Sequence, residues 1–384
     1  MRRRVFHVSL ALATLAGAGE APPAERPTGR DDEPHRVVAA IARLKMQDRA
    51  DRLRALRTIE RFPDKAIPVL IRAARNDDPV FRARVANALA LVGKGDRDAL
   101  FALGVLLKDP DAFVRREALA AIARAGAPSH IPDVEKLLAD GNDAVRSEAV
   151  CTIAALEPDK AIARLTALLG HQDARVRRTA LAELVARKAP NAQALALPLL
   201  EDPDGGVRGD AAGVLARLGG KELEARFLDL LDDKDAYVRA TAIAALKGLS
   251  AKGATPRLIR LLEDPSASVR EEAVSALGVI GSPTAIPPLI GLLTSPSPRI
   301  RQRAALALGF FRDQARPAVP GLILLLSDGD PNVRQKADLA LRLILRTSVG
   351  YDANASEEHR QQAVLKWQQA WREAKRGGAR RKRR

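Results

Sequence analysis

The sequence predicts an all-α fold: an α-solenoid (a superhelix of about ten helix-pair repeats) closed by a C-terminal capping helix. The first observation behind this is a recurring string. It reads "DPDAFVRREALAAI" from Asp109, "DGNDAVRSEAVCTI" from Asp140, "DPDGGVRGDAAGVL" from Asp202 and "DPSASVREEAVSAL" from Asp264. Its arginine falls at 82, 115, 146, 177, 208, 239, 270, 301 and 334; six steps from 115 to 301 are each 31 residues and the outer two are 33. A fixed period in this range marks an array of supersecondary units. The second observation is composition. Residues are 47% hydrophobic but only 3% aromatic, so the core is close packing of Ala, Leu, Val and Ile.

The elements of one repeat follow in order. Upstream of Arg270, "TPRLIRLLE" reads as a short helix with Thr255 as cap and Pro256 in its first turn, where a missing N–H costs nothing. Pro68, Pro132, Pro287 and Pro320 share that offset. Asp264 and Pro265 then stand where turn and cap residues belong. Val269, Ala273, Ala276, Leu277 and Ile280 fall at helical spacing and form one apolar stripe. Gly281 follows, as Gly93, Gly126 and Gly219 do at the same offset, and predicts a left-handed stop. Neither helix of such a pair can bury its stripe alone, so the units must stack. Nine units are clear, and "DRLRALRTI", with Arg52, Ala55 and Ile59 at the right offsets, marks a degenerate tenth.

An acid and a base six residues apart recur as Asp109 and Arg115, Asp140 and Arg146, Asp202 and Arg208, Asp233 and Arg239, Asp264 and Arg270, and Asp328 and Arg334. A catalytic pair is needed once, not in every unit. The aspartate suits the positive end of a helix, whereas an arginine in the first turn does not. The arginine gains if its guanidinium reaches a carboxylate in the adjacent loop, where a bidentate bond is possible. The pairs are therefore predicted to form a structural ladder.

The Asp-x5-Arg spacing, the "VRxxAxxAL" helix and the "IPxLIxLL" helix, as in "AIPPLIGLL" at 285 to 293, resemble the HEAT-repeat family, in particular its short 31-residue, phycobilisome-lyase-like class. The resemblance covers roughly residues 35–346. Enzymes share this architecture. Phycobilin lyases bind a tetrapyrrole, and deoxyhypusine hydroxylase holds two irons through His-Glu pairs. Here the five histidines, at 7, 35, 130, 171 and 359, are scattered and none precedes a glutamate. No phosphate loop, "GxSxG" or "HExxH" occurs either. No cofactor, metal or small-molecule substrate is predicted, and the chain is read as no enzyme and as a monomer.

The ends differ from the array. "MRRRVFHVSLALATLAGAGEAPPAERP" has three arginines, an apolar run and small residues at 16–18, and reads as a signal peptide over 1–18. This predicts export to the periplasm or medium; a cytoplasmic location follows if the run is only an amphipathic start. Residues 19–34 read as a linker, 35–346 as the solenoid and 347–374 as the capping segment. Trp367 is expected to seal the last repeat, and the "GYD…A…W..AW" arrangement resembles the ends of exported bacterial HEAT-repeat proteins. Net charge is +16; residues 1–4 hold +3 and the final ten +7, leaving +6 for the rest. The basic tail, 375–384, reads as disordered and able to contact an anionic polymer or membrane surface, weakly and in a salt-dependent way. The single cysteine, Cys151, makes no internal disulfide and is read as packing.

In the resembled family the second helix of each pair lines the concave face. The positions one and two past each arginine are then candidates for partner contact: Arg84, Arg116, Glu117, Glu148, Arg178, Asp210, Thr241, Glu271, Glu272 and Arg303. They vary while the scaffold positions repeat, as a binding groove for another protein requires. The function predicted is a non-catalytic scaffold for protein–protein interaction. The alternatives are a lyase- or hydroxylase-type enzyme, and nucleic-acid or anionic-surface binding through the tail.

Overall fold

The computed structural model describes residues 33–381, with side chains described for 33–376. The expected signal peptide, residues 19–32 of the linker and residues 382–384 lie outside the described residues. Among the described residues all regular structure is helical, in two compact units that divide between Ala127 and Pro128.

The first unit holds three helix pairs: α1 (Glu33–Arg43) with α2 (Arg49–Arg61), α3 (Pro63–Ala73) with α4 (Pro79–Val92), and α5 (Arg97–Leu106) with α6 (Ala112–Ala125). The second holds seven. They are α7 (Ile131–Lys136) with α8 (Asp143–Leu156), α9 (Ala161–Leu168) with α10 (Ala174–Ala186), α11 (Ala192–Ala196) with α12 (Gly205–Leu218), and α13 (Glu224–Asp229) with α14 (Ala236–Gly248). Then come α15 (Thr255–Arg260) with α16 (Ala267–Ile280), α17 (Ile286–Gly291) with α18 (Pro298–Phe310), α19 (Val319–Leu324) with α20 (Pro331–Leu345), and the closing α21 (Glu357–Arg381). The ten pairs are the repeats read from the sequence, with α2 as the degenerate one. Within the second unit the second helices pack in series, α12 on α14, α14 on α16, and so on to α20. The predicted stripe is the core: Val269, Ala273, Ala276 and Leu277 are fully buried.

Three local expectations change. Gly126 and Gly281 are left-handed stops, at φ +65° and +70°, but Gly93 and Gly219 are not. A Cβ on Gly219 would lie 2.1 Å from Leu223 Cδ1, so glycine is needed there for space. Thr255 does not cap α15; its hydroxyl donates to the Lys252 carbonyl at 2.9 Å. The α21 helix runs through Arg381, so the backbone of 375–381 is helical where the sequence predicts an irregular tail; lysine and arginine are good helix formers.

The ladder is present, and its rungs run between repeats. Each ladder aspartate first accepts from the N–H two residues on, as Asp109 does from Asp111 at 2.9 Å, Asp140 from Asn142 at 2.8 Å and Asp264 from Ser266 at 2.8 Å. That second residue, not the ladder aspartate, caps the following helix at Asp111, Asn142, Asp173, Asp204, Asp235 and Asp330. The arginines give Nη1 to carbonyls of their own loops: Arg208 to Asp202 and Pro203 at 2.7 and 3.1 Å, Arg115 to Asp109 and Pro110 at 2.8 and 3.0 Å, and Arg146 to Asp140 at 2.7 Å. In five of them Nε and Nη2 then grip the carboxylate of the next repeat. Arg82 holds Asp109 at 2.7 Å through both, Arg177 holds Asp202 at 2.7 and 2.6 Å, Arg208 holds Asp233 and Arg239 holds Asp264 at 2.8 Å, and Arg301 holds Asp328 at 2.7 and 2.8 Å.

Three positions depart from this pattern. Where His171 replaces the aspartate, its Nδ1 takes the Asp173 N–H at 3.1 Å, and Arg146 turns to Asp143 at 2.6 Å and Asp173 at 3.1 Å. Arg270 faces Ser295; among the described residues it meets the Asp264 and Pro265 carbonyls, at 2.6 and 3.0 Å, and no carboxylate. Asp264 and Arg270 are thus not partners through their side chains. Arg334 ends the series by donating Nε and Nη2 to the Ala353 carbonyl at 2.9 and 2.6 Å.

The cap is specific. Trp367 of α21 is fully buried and donates its indole N–H to Asp338 of α20 at 3.1 Å, and Arg342 holds the other carboxylate oxygen at 2.9 Å. Four residues past the ladder arginine, earlier repeats carry buried apolar residues such as Val150, Ile243 and Val274. Asp338 replaces them only where the next neighbour is the cap.

Restoring the missing rung is expected to stabilise the protein. Ser295→Asp places a carboxylate where Asp264 sits one repeat earlier, and charged hydrogen bonds contribute about 1 kcal/mol or more. Thermal melts should show a higher Tm for Ser295→Asp, and no gain when Arg270→Met is also present. The ladder also sets the acid limit. Burial pushes Asp109, Asp233, Asp264 and Asp328 up, but the arginine and backbone bonds outweigh it and hold each below the ordinary aspartate range. Their contribution is complete above about pH 4, the unfolded value, and is lost as pH falls through the folded values. Asp338 has the opposite sign: burial pushes it up, and Arg342 and Trp367 only partly oppose this. Denaturant titrations below about pH 4 should show a shallower loss for Asp233→Asn than for the parent.

Candidate functional site

All ten predicted contact residues lie on second helices, and all are half-buried. Closely packed second helices use these positions to reach one another. In the first unit Arg84 donates to the Leu44 and Met46 carbonyls at 2.7 and 3.2 Å, Arg116 pairs with Glu117 at 2.8 Å, and Asn87 donates to Glu117 at 3.2 Å. In the second unit Arg178 of α10 pairs with Asp210 of α12 at 2.6 Å. Glu272 of α16 pairs with Lys247 of α14 at 3.3 Å, and Glu271 with Arg303 of α18 at 3.2 Å. Thr241 donates to the carbonyl of Tyr237 one turn back at 2.8 Å. The Glu271 side chain is only 15% exposed.

The middle of the second unit shows how these contacts are made. Helix α12 opens "GGVRGD", a poor helical sequence by propensity. A Cβ on Gly206 would lie 2.9 Å from Arg178 Nη1, and one on Gly209 2.3 Å from the Tyr237 ring. The glycines leave α12 bare so that Arg178 from one neighbour and Tyr237 from the other lie over it. They meet at Asp210, which accepts from Arg178 at 2.6 Å and from the Tyr237 hydroxyl at 2.8 Å. The Asp210 bond holds the Arg178 guanidinium above its usual pKa. Tyr237, one of two tyrosines in the chain, is 43% exposed. Neither Tyr237 nor the glycines were among the candidates; the signal for them was a glycine run inside a helix that the repeat otherwise demands.

Ala182, Ala244 and Gly248 are exposed, and Cys151 and Gly213 are half-buried. Burial, with Glu183 and Glu148 nearby, pushes the Cys151 thiol up to about 12, so it is no thiolate nucleophile. On the loop side, the ladder fault at His171 leaves a cavity of about 340 Å³ lined by Asp140, Arg146, His171 and Asp173 among others. Among the described residues no group of three or more His, Cys, Asp or Glu is placed to hold a metal ion. The arrangement offers a fixed polar surface with hydrogen-bonding groups locked helix to helix.

Gly209→Ala tests the fit of Tyr237 over α12. Alanine raises helix propensity by about 1 kcal/mol, but its methyl displaces the ring and breaks the bond to Asp210. The substitution is expected to be neutral or destabilising in the parent and stabilising in Tyr237→Ala. Chemical denaturation of the four proteins of this cycle reads the change of sign.

The family model for HEAT repeats matches residues 37–104, 100–186, 162–247, 224–309 and 286–356. No curated protein matches the sequence. Among solved structures, Kap121p is similar with a TM-score of 0.51 at 17% identity, over 84% of this chain and 42% of that one. Kap121p bound to Pho4p gives 0.51 at 16% identity, over 84% and 42%. Kap121p bound to Nup53p gives 0.50 at 17% identity, over 84% and 46%. The chain thus spans less than half the length of these structures, and what it shares with them is the fold. The five overlapping matches run from residue 37 to residue 356, and the chain belongs to the HEAT-repeat family.

Proposed function

We propose that this chain is a non-catalytic scaffold that binds another protein along the exposed face of its second helices. One observation carries the reading: core and ladder positions repeat, whereas the face between them varies from helix to helix on a rigid support. Kap121p, which shares the fold, has been solved bound to Nup53p and to Pho4p. The proposal includes the finer class, the short phycobilisome-lyase-like repeat, on the 31-residue step. It also includes export from a bacterial cell, which rests on the arginines and apolar run of residues 1–18. A hydroxylase reading needs His-Glu pairs that the sequence lacks. A second reading, contact with an anionic surface, draws on the seven cations of the last ten residues, of which 375–381 continue α21.

The test is affinity capture from the envelope or secreted fraction with the full chain and with Ala182→Arg, Ala244→Arg double-variant bait. Both positions are exposed, so the fold should be kept while the face is blocked. A partner enriched by the parent and lost with the variant is expected. Equal recovery by both baits, or a tetrapyrrole or stoichiometric iron in the purified protein, overturns the scaffold reading.

A further inference from the structure

One end of this face differs from the rest. Nine residues past the ladder arginine, in the second unit, α8, α10, α12 and α14 carry Ala155, Ala186, Arg217 and Gly248, whereas α16, α18 and α20 carry Val279, Phe310 and Leu343. Val279 and Phe310 are each 51% exposed. Close helix approach sets them side by side. A Cβ on Gly278 would lie 3.4 Å from Phe310 Cδ2, and one on Gly309 3.1 Å from Leu343 Cδ1. Beside Phe310 a cavity of about 50 Å³ opens, lined by Ser275, Arg303, Leu306 and Ala307. Contiguous apolar surface rimmed by polar groups is the usual mark of a docking site.

The rim has one sign in excess. Arg299 is 79% exposed and Arg303 41%. Glu271 meets both, at 4.0 and 3.2 Å, and Glu272 is taken by Lys247. Lys336 of α20 makes no ion pair among the described residues. Arg299 and Arg303 thus share one carboxylate, and Arg303 lines the cavity itself. An apolar anchor beside a surplus of positive charge complements a ligand that is apolar and acidic.

We propose that the α16–α18–α20 end of the face is the docking site for an acidic peptide segment of the partner protein. An aliphatic or aromatic side chain of that segment packs against Phe310, and its flanking carboxylates meet Arg303, Arg299 and Lys336. This inference rests on the scaffold reading and names the chemistry of what the scaffold takes.

The test uses fluorescence anisotropy on the full chain. One labelled probe is a Leu-Phe pair flanked on both sides by glutamates; the other has lysines in their place. The glutamate probe is expected to bind at least tenfold more tightly and to weaken as salt rises. Phe310→Ser should abolish that binding and Arg303→Glu should reduce it at least tenfold, with thermal melts of Phe310→Ser unchanged. Equal binding of both probes, binding that survives Phe310→Ser, or sedimentation showing a second copy of the chain in the patch overturns the proposal. A photo-crosslinking residue at position 310 or at 182, in cells, separates this inference from the reading beneath it. Adducts at 182 alone defeat the patch and keep the scaffold; adducts at neither defeat both.

Discussion

One guanidinium per repeat does what the core cannot. A stack of Ala, Leu, Val and Ile side chains has a driving force but no direction, because apolar burial scales with area and is indifferent to register. Arg208 supplies the direction. It holds two carbonyls of its own loop and, through a planar fork, both oxygens of Asp233 in the next. That geometry admits one rotation and one spacing between successive pairs. Asp233 in turn ties down its own loop through the Asp235 N–H at 2.8 Å. Steps of 31 and of 33 residues both keep these four groups in place, as Arg82 with Asp109 and Arg301 with Asp328 show for the longer one.

Much of this was legible in the sequence because it repeats. Helix existence, the buried stripe, the number of pairs and the structural role of the acid–base couples follow from period and spacing alone. The identity of the partners does not follow from proximity in sequence. Asp264 and Arg270 stand six residues apart, yet Asp264 belongs to Arg239. Arg177 has a histidine in its own loop and nonetheless makes a complete rung with Asp202. The informative comparison is between an arginine and the loop one repeat later, which is why Arg146, followed by His171, and Arg270, followed by Ser295, are exceptions. Asp338 was similarly readable as the odd residue at an apolar offset. The sealing role of Trp367 was expected, but its hydrogen-bond partner was not.

The exposed face was less legible, since a position that varies looks the same whether it binds a partner or a neighbouring helix. Glu271, Arg178 and Asp210 were read as pointing outward, and all three are half-buried and ion-paired to the adjacent helix. Further along the helices, nine residues past the arginine, the side chains are Ala155, Ala186, Arg217 and Gly248 over α8 to α14 and large and apolar over α16 to α20. Glycines decide much of that topography. At Gly206 and Gly209 they admit a neighbour's side chain, and at Gly278 and Gly309 they draw whole helices together.

The rungs have a polarity. In each complete one the arginine comes earlier in the chain than the aspartate that satisfies it, as Arg239 precedes Asp264 by 25 residues. A ribosome makes the chain in the same order. Each of these arginines is therefore translated before the carboxylate that satisfies it. The last of the series, Arg334, has its acceptor in the Ala353 carbonyl, 19 residues further on.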